Sequence, residues 1–297
     1  MAHAPERPWL QSFLAREALP TAFAEVVERH YVPFVRTLVE WQGQKGGPFL
    51  LGVNGAQGTG KSTLAAWIQA YLGHEAGLSC AILSMDDLYL TRAARAALAG
   101  QVHPLLEIRG VPGTHDVALG VETIDGLLGG EPVRLPRFDK ALDDRSTEWF
   151  PVEGPVDVIL FEGWCLAALP ELEGQLAQPI NALEREEDPD GIWRGYVNAQ
   201  LAGPYRALFE RLDRLAMLAA PDFACVHAWR AEQEAKLRQR VDREGIDGSG
   251  LMDASRLRRF MMHYERLTHW MLEEMPERAD IVWALRPDHT IGHPRAR

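Results

Sequence analysis

The chain has 297 residues, 46% hydrophobic and 25% charged, a composition typical of a folded globular protein rather than a disordered one. Its formal net charge of −11 at pH 7 argues against general affinity for nucleic acid or anionic membranes, because both require a basic surface. The three cysteines, Cys80, Cys165 and Cys225, are far apart in sequence and predict neither a disulfide framework nor a zinc site.

The N-terminal part of the chain is predicted to be helical. Residues 1–8 contain no apolar signal core, and no stretch approaches 18 uninterrupted apolar residues, so we expect a cytoplasmic protein with no membrane span. Apolar residues recur at helical spacing between residues 9 and 41, and residues 43–48 form a glycine-rich connection. We therefore expect a helical N-terminal extension at 1–48, followed by one larger domain at 49–297.

The next segment has the pattern of a phosphate-binding loop. Residues 55–62 read Gly-Ala-Gln-Gly-Thr-Gly-Lys-Ser and lie between the apolar run 49–53 and a helical pattern that begins at Thr63. Such glycines let the backbone curl so that successive N–H groups point at a phosphate, and the following helix adds its positive N-terminal end. The segment predicts a P-loop that binds ATP, with Lys61 at the β- and γ-phosphates and Ser62 on Mg²⁺. The alternative is a glycine-rich structural turn. The predicted nucleotide-binding residues are Gly55, Ala56, Gln57, Gly58, Thr59, Gly60, Lys61, Ser62 and Thr63.

Four further short apolar runs, at 80–84, 156–161, 215–219 and 281–285, are separated by helical patterns. Strands that alternate with helices predict an α/β fold with a doubly wound, parallel, five-stranded sheet, which binds ligands at the carboxyl ends of its strands. The stretches around 100–150 and 181–204 interrupt this alternation, and we expect them to be substrate-side insertions over that edge of the sheet.

Three acidic residues are predicted to lie at the same edge. Asp86 and Asp87 follow the second strand, where Asp86 could accept the proton of an attacking hydroxyl; the alternative is that either residue caps a helix or faces solvent. Glu162 ends the apolar run of the third strand, as a Walker B acid does, and could hold Mg²⁺ together with Ser62. The alternative for Glu162 is a purely structural role. We take Asp86, Lys61 and Glu162 as the candidate catalytic residues.

Cationic side chains cluster in the stretch between the second and third strands, and they suggest an anionic small-molecule substrate such as a carboxylate. For each of them judged alone, the sequence favours an ordinary surface charge. The candidate substrate residues in and near these loops are Asp87, Tyr89, Arg109, His115, Asp116, Arg137, Lys140 and Arg145. A later helix of mixed charge carries Arg230, Lys236 and Arg238, which could close over the γ-phosphate as a lid or could form an ordinary solvated face.

Several of these segments together resemble a known family. They are the P-loop at 55–63, Ser-Met-Asp-Asp-Leu-Tyr at 84–89, Arg-Gly-Val-Pro-Gly-Thr-His-Asp at 109–116, Pro-Arg-Phe-Asp-Lys at 136–140 and Phe-Glu-Gly-Trp at 161–164. In order and approximate spacing they resemble the plant-type D-glycerate 3-kinase family, whose kinase-type P-loop core resembles uridine kinase, phosphoribulokinase and bacterial pantothenate kinase. The resemblance covers roughly residues 45–290.

The resemblance implies roles for particular residues. Asp86 matches the catalytic acid of the uridine kinase group, Glu162 matches its metal-associated acid, and residues 229–238 look like its lid. Residues 181–204 are similar to the family's helical insertion, in a looser match that carries over no individual residue. Because substrate loops vary freely on one fold, the chemistry transfers more safely than the substrate.

The expected function is ATP-dependent phosphoryl transfer to a primary hydroxyl of a small metabolite, with D-glycerate as the preferred acceptor. One alternative is a kinase of another small alcohol, such as a nucleoside or pantothenate. A second is a nucleotide-switched ATPase or binding protein, against which stand the lack of an Asn-Lys-x-Asp motif and the position of Asp86 and Asp87. The sequence carries no sign of the oligomeric state.

Overall fold

The computed structural model describes residues 7–245, 251–292 and 295–296. Its strands are β1 (Phe49–Gly55), β2 (Cys80–Ser84), β3 (Val133–Leu135), β4 (Phe138–Asp139), β5 (Asp144–Arg145), β6 (Phe150–Val152), β7 (Val158–Gly163), β8 (Arg214–Ala219), β9 (Ile281–Ala284) and β10 (Arg295–Ala296). The main sheet has the order β10-β9-β8-β1-β7-β2. Strands β9, β8, β1, β7 and β2 are parallel to one another, so the predicted five-stranded parallel sheet is confirmed. The short strand β10 adds an antiparallel edge to β9 that the sequence did not predict.

Helices cover both faces of this sheet. They are α1 (Pro8–Arg16), α2 (Phe23–Val26), α3 (Val32–Lys45), α4 (Lys61–Tyr71), α5 (Arg92–Gln101), α6 (Val117–Leu128), α7 (Glu173–Leu176), α8 (Ala182–Glu187), α9 (Ile192–Ala202), α10 (Pro204–Phe209), α11 (Phe223–Glu244) and α12 (Ala254–Glu274). Several begin at a side-chain cap: Thr91 accepts from the Ala94 amide, and Asp222 accepts from the Cys225 amide. Within the described ranges, no helix is both long and apolar enough to cross a membrane.

The alternation of side chains along β1 shows why the strands are apolar throughout. Leu51 and Val53 lie in the hydrophobic core on one face of the sheet, whereas Leu50 lies in the core on the other face. Successive strand residues point to opposite faces, and here both faces are covered by helices. The doubly wound arrangement places the functional residues where the strands end.

The N-terminal helices share a core with the sheet. Tyr31 and Phe34 contact Trp283 of β9 edge-on, with ring centroids 5.9 and 4.9 Å apart. The predicted helical character of residues 9–41 agrees with α1, α2, the π-helical turn Val27–Tyr31, and α3. A domain boundary at residue 48 stays a prediction.

The stretch around 100–150 is more structured than an insertion of loops. It contains α6, whose Ile124 and Leu127 are buried in the core, and two small antiparallel pairs, β3 with β6 and β4 with β5. The stretch 181–204 holds α8 and α9. A Cβ on Gly113 would lie 2.5 Å from Tyr196 of α9, so this helix packs directly on the 109–116 loop.

Candidate active site

The P-loop joins the end of β1 to the start of α4. Gly58 and Gly60 have φ angles of +84° and +87°, a left-handed conformation that L side chains rarely adopt. The Thr59 hydroxyl donates to the Ala56 carbonyl at 2.8 Å and closes the turn from inside. The N-cap of α4 is Gly60, which has no side chain to bind the first amides of the helix. These N–H groups are therefore available to an anion, which the helix end also attracts.

Ser62 and Glu162 meet beside this loop. The Ser62 hydroxyl, at the start of α4, donates to Oε1 of Glu162, near the end of β7, at 3.0 Å. Glu162 is 5% exposed, and its Oε2 has no hydrogen-bond partner in the part of the chain that the structure describes. A buried, unpaired carboxylate oxygen is costly unless it meets a cation.

The Ser62 hydroxyl oxygen and Glu162 Oε2 fit Mg²⁺, which prefers hard oxygen ligands and usually takes one or two from the protein. The described residues contain no cluster of three or more histidine, cysteine or acidic side chains that could hold a metal by themselves. The remaining ligands at such a site would be water and phosphate oxygens, as is usual where Mg²⁺ accompanies a nucleotide.

Asp86 lies in the 3₁₀ turn Met85–Leu88 directly after β2, with 28% of its side chain exposed. The Tyr89 hydroxyl donates to its Oδ1 at 3.0 Å, and Lys140 Nζ donates to its Oδ2 at 2.6 Å. Burial raises the pKa of Asp86, but the charges of Lys140 and Lys61 outweigh burial and lower it to about 2. Asp86 is therefore ionised at neutral pH, the state in which a general base acts.

The Asp87 side chain contacts Arg137 and Phe138 rather than the lysines that surround Asp86. The Phe138 amide donates to its Oδ1 at 3.1 Å, and the Arg137 guanidinium pairs with its Oδ2. Burial raises the pKa of Asp87, while the Arg137 charge opposes that rise. The side chain thus anchors the loop around β4, and this contact favours a structural role over the predicted substrate contact.

The arginines and the lysine predicted in the rim loops, residues 109–116 and 137–145, each pair with an aspartate. The pairs, with the exposed fraction of the cationic side chain, are Arg109 with Asp143 (28%), Arg137 with Asp87 (36%), Lys140 with Asp86 (62%) and Arg145 with Asp116 (19%). Arg145 also donates to the Tyr89 carbonyl at 3.2 Å, and Asp116 caps α6. The cluster is thus brought together as predicted, but its charges are already compensated.

His115 adds no charge to this cluster at neutral pH, a point that the sequence leaves open. Its ring is buried and stacks on Tyr89 with centroids 4.5 Å apart, and its Nδ1 lies 2.7 Å from the Tyr205 hydroxyl. Burial lowers the pKa of His115 to about 4, with the nearby Asp86 charge opposing. A neutral imidazole cannot form an ion pair with a carboxylate.

The three predicted lid residues lie at different places along α11 and do not form one group. Trp229 lies against the P-loop, since a Cβ on Gly58 would come 2.7 Å from Trp229 Cβ, and Arg230 follows it with a contact to Glu234 at 2.9 Å. Lys236 and Arg238 lie roughly 9 and 12 Å further along α11, at 1.5 Å per residue. Both are exposed, and Arg238 donates to the Met252 carbonyl. Of the three, Arg230 is thus the one nearest along α11 to Trp229, the residue that contacts the P-loop.

Comparison with known proteins identifies relatives of this chain. The chain is 33% identical over 210 residues to the uncharacterized kinase mug58 of Schizosaccharomyces pombe, covering 66% of this chain and 74% of that one. It is 32% identical over 229 residues to the chloroplastic D-glycerate 3-kinase of Arabidopsis thaliana, covering 73% of this chain but 46% of the plant enzyme. The structure of a D-glycerate 3-kinase from Cryptococcus neoformans superposes with a TM-score of 0.71 at 25% identity, over 84% of this chain and 90% of that one. No protein-family model matches the chain.

The chain belongs to the family of P-loop kinases that includes D-glycerate 3-kinase. It is a small-molecule kinase.

In this kinase, Arg95 of α5 organises the loops around Asp143, although the sequence did not single it out. The side chain is fully buried and donates to Asp143 Oδ2 at 2.6 Å, to the Leu90 carbonyl at 2.7 Å and to the Glu107 carbonyl at 3.0 Å. It thereby ties α5 to the turn before β5. An arginine in an alanine-rich helix is ordinarily a surface residue, so no sequence signal marked it.

Two buried histidines, His115 and His263, should make the protein less stable as the pH falls. Burial lowers the pKa of each to about 4, whereas an unfolded histidine titrates near about 6.5. Between these values the unfolded chain binds more protons, so their contribution is complete above about pH 6.5 and declines toward pH 4.

We expect His263→Asn to reduce the slope of unfolding free energy against pH in that window by up to about 1.4 kcal/mol per pH unit. Asparagine can replace the Nδ1 contacts to the Arg259 and Phe260 carbonyls. Urea unfolding at several pH values measures the slope. His269→Asn on the same helix is the control, because that side chain is 56% exposed. An equal slope in the wild type and His263→Asn would contradict the prediction.

Proposed function

We propose that this kinase transfers the γ-phosphoryl group of MgATP to the primary hydroxyl of D-glycerate. One observation carries the proposal: Asp86 pairs with Lys140 of the rim loops and also lies within the field of Lys61 of the P-loop. A proton acceptor is thus set between a phosphate-binding loop and a cationic region. The plant and fungal relatives named as D-glycerate 3-kinases support this acceptor.

The nucleotide side of the reaction rests on the P-loop. Its backbone N–H groups and the Lys61 ammonium would bind the β- and γ-phosphates, and Ser62 and Glu162 would hold Mg²⁺. When bound, Mg²⁺ would neutralise negative charge that develops on the phosphates during transfer. Arg230, beside Trp229 at the P-loop, adds positive charge near the γ-phosphate.

The acceptor side rests on Asp86. Its carboxylate takes the proton of the primary hydroxyl as that oxygen bonds to the γ-phosphorus and the bond to the ADP oxygen breaks. The acceptor's own carboxylate is recognised by the cations of the rim loops. Among the four cations that pair with an aspartate, Lys140 is the most exposed. The buried, neutral His115 is a hydrogen-bonding group of this pocket and not a charge.

The experiment is an ADP-release assay with MgATP against D-glycerate, L-glycerate, glycerol, uridine and pantothenate, with the products identified by mass spectrometry. We expect rapid turnover with D-glycerate and a phosphoglycerate product. Turnover with uridine or pantothenate but not glycerate would reject glycerate and keep the kinase chemistry. ATP hydrolysis that no small alcohol stimulates would reject the proposal and favour a nucleotide-switched protein.

A further inference from the structure

The proton acceptor of the proposed reaction is engaged on both oxygens. Asp86 Oδ1 accepts from the Tyr89 hydroxyl at 3.0 Å, and Oδ2 accepts from the Lys140 ammonium at 2.6 Å. A carboxylate bound to an ammonium is a poor base, because accepting a proton would end a charge-assisted contact. One partner must therefore move before Asp86 can take a proton from an alcohol.

Tyr89 is held in place. It is 4% exposed, its ring stacks on His115 with centroids 4.5 Å apart, and Phe138 packs edge-on against it. Its carbonyl accepts from Arg145. A side chain packed on two rings in this way does not leave Asp86 without rearranging the site.

Lys140 is the partner that can move. Its side chain is 62% exposed and pairs with Asp86 in the described structure. It follows β4 at the start of a turn in which Asp139 Oδ1 accepts from the Ala141 and Leu142 amides at 2.8 and 3.1 Å. The backbone is therefore fixed while the flexible stem of the lysine can swing and its three N–H donors can exchange carboxylates.

The arginines of the rim loops are less able to exchange partners. Arg145 divides its donors between Asp116 and the Tyr89 carbonyl. Arg109 shares Asp143 with the buried Arg95. Arg137 holds Asp87, which also anchors the Phe138 amide. Moving any of them would disturb a loop, whereas moving Lys140 disturbs a single ion pair.

We propose that Lys140 determines specificity for anionic acceptors by an exchange of partners. Without an acceptor it pairs with Asp86, and on binding it moves to the acceptor's carboxylate and so frees Asp86 to receive the hydroxyl proton. This inference rests on the proposed function. Water carries no carboxylate to draw Lys140 away, so the same pair restrains Asp86 from activating water against ATP.

The test is Lys140→Met, which keeps the length of the stem and removes the charge. Three rates are measured: transfer to D-glycerate, transfer to its neutral amide, and ATP hydrolysis without an acceptor. We expect kcat/KM for glycerate to fall about 10- to 100-fold, mainly through KM, the size of one lost charge-assisted hydrogen bond. Transfer to the amide should stay unchanged or rise, and acceptor-free hydrolysis should rise several-fold.

A lysine that only supports the fold, or that binds ATP phosphates, would lower both transfer rates alike. An unchanged ratio of glycerate to amide turnover, or acceptor-free hydrolysis that does not rise, overturns the proposal. The control is Lys45→Met, since Lys45 pairs with Asp213 at 2.5 Å before the start of β1, at the end of the strand away from the P-loop. It should leave all three rates near those of the wild type.

Failure of the proposed function gives a different result. If the wild type does not phosphorylate D-glycerate at all, the proposed acceptor is wrong whatever Lys140→Met does. The acceptor-free hydrolysis rate still tests the contact between Lys140 and Asp86 in that case, because it does not depend on which acceptor the kinase uses.

Discussion

Asp86→Asn is expected to lower kcat about 100- to 10,000-fold, the range for loss of a general base, while ATP affinity changes little. Asparagine has the size of aspartate, and its carbonyl oxygen can still accept from the Tyr89 hydroxyl. It cannot take a proton from an alcohol at neutral pH. The proposed nucleotide contacts lie on the P-loop, which the substitution leaves unchanged.

The measurements are single-turnover transfer rates and ATP affinity by calorimetry. The neighbouring Asp87→Asn serves as the matched control. Because Asp87 anchors Arg137 and the Phe138 amide, its loss should lower the melting temperature and raise KM for the acceptor more than it lowers kcat. An Asp86→Asn enzyme that retains more than about a tenth of wild-type kcat would rule out Asp86 as the proton acceptor.

The P-loop and the sheet could be predicted because their determinants are local. A left-handed turn needs glycine at Gly58 and Gly60, and a strand buried on both faces needs an uninterrupted apolar run. The parallel direction of the strands and the acids that follow two of the apolar runs then place Asp86 and Glu162 at one edge. None of these inferences required knowing what a side chain touches.

The electrostatic state of the substrate side could not be predicted, because it depends on partners distant in sequence. Arg109 meets Asp143, and Arg137 meets Asp87 across fifty positions, so each cation is compensated. The sequence left the charge of His115 open, and its burial between Tyr89 and Tyr205 shows that it is neutral.

The content of the stretch around 100–150 was missed for another reason. Its glycines, prolines and charges outweighed the apolar spacing of Ile124 and Leu127, which mark the buried face of α6. Short pairs such as β4 with β5 are set by tertiary contacts, including the Asp87 anchor, rather than by strand propensity.

Glu162→Gln is expected to change activity and stability in opposite directions. Glutamine keeps an oxygen that can accept from the Ser62 hydroxyl but replaces the buried, unpartnered Oε2 of the described structure with a neutral amide. Removing a buried charge without a partner should stabilise the metal-free protein by about 1 kcal/mol, since an unpaired neutral amide costs less than an unpaired carboxylate. Loss of the metal ligand should lower kcat about 100-fold or more.

Thermal unfolding in EDTA and the dependence of transfer rate on Mg²⁺ concentration measure the two effects. The melting temperature should rise by roughly 2–4 °C for a domain of this size. Ser62→Ala is the matched control, because it also removes a proposed metal ligand. It takes the hydrogen-bond donor from Glu162 Oε1 and leaves the carboxylate charge in place, so activity and stability should fall together. A Glu162→Gln protein that is less stable than the wild type in EDTA would show that Glu162 is a structural residue. The proposed metal site requires the opposite, because a buried carboxylate that waits for a cation destabilises the metal-free protein.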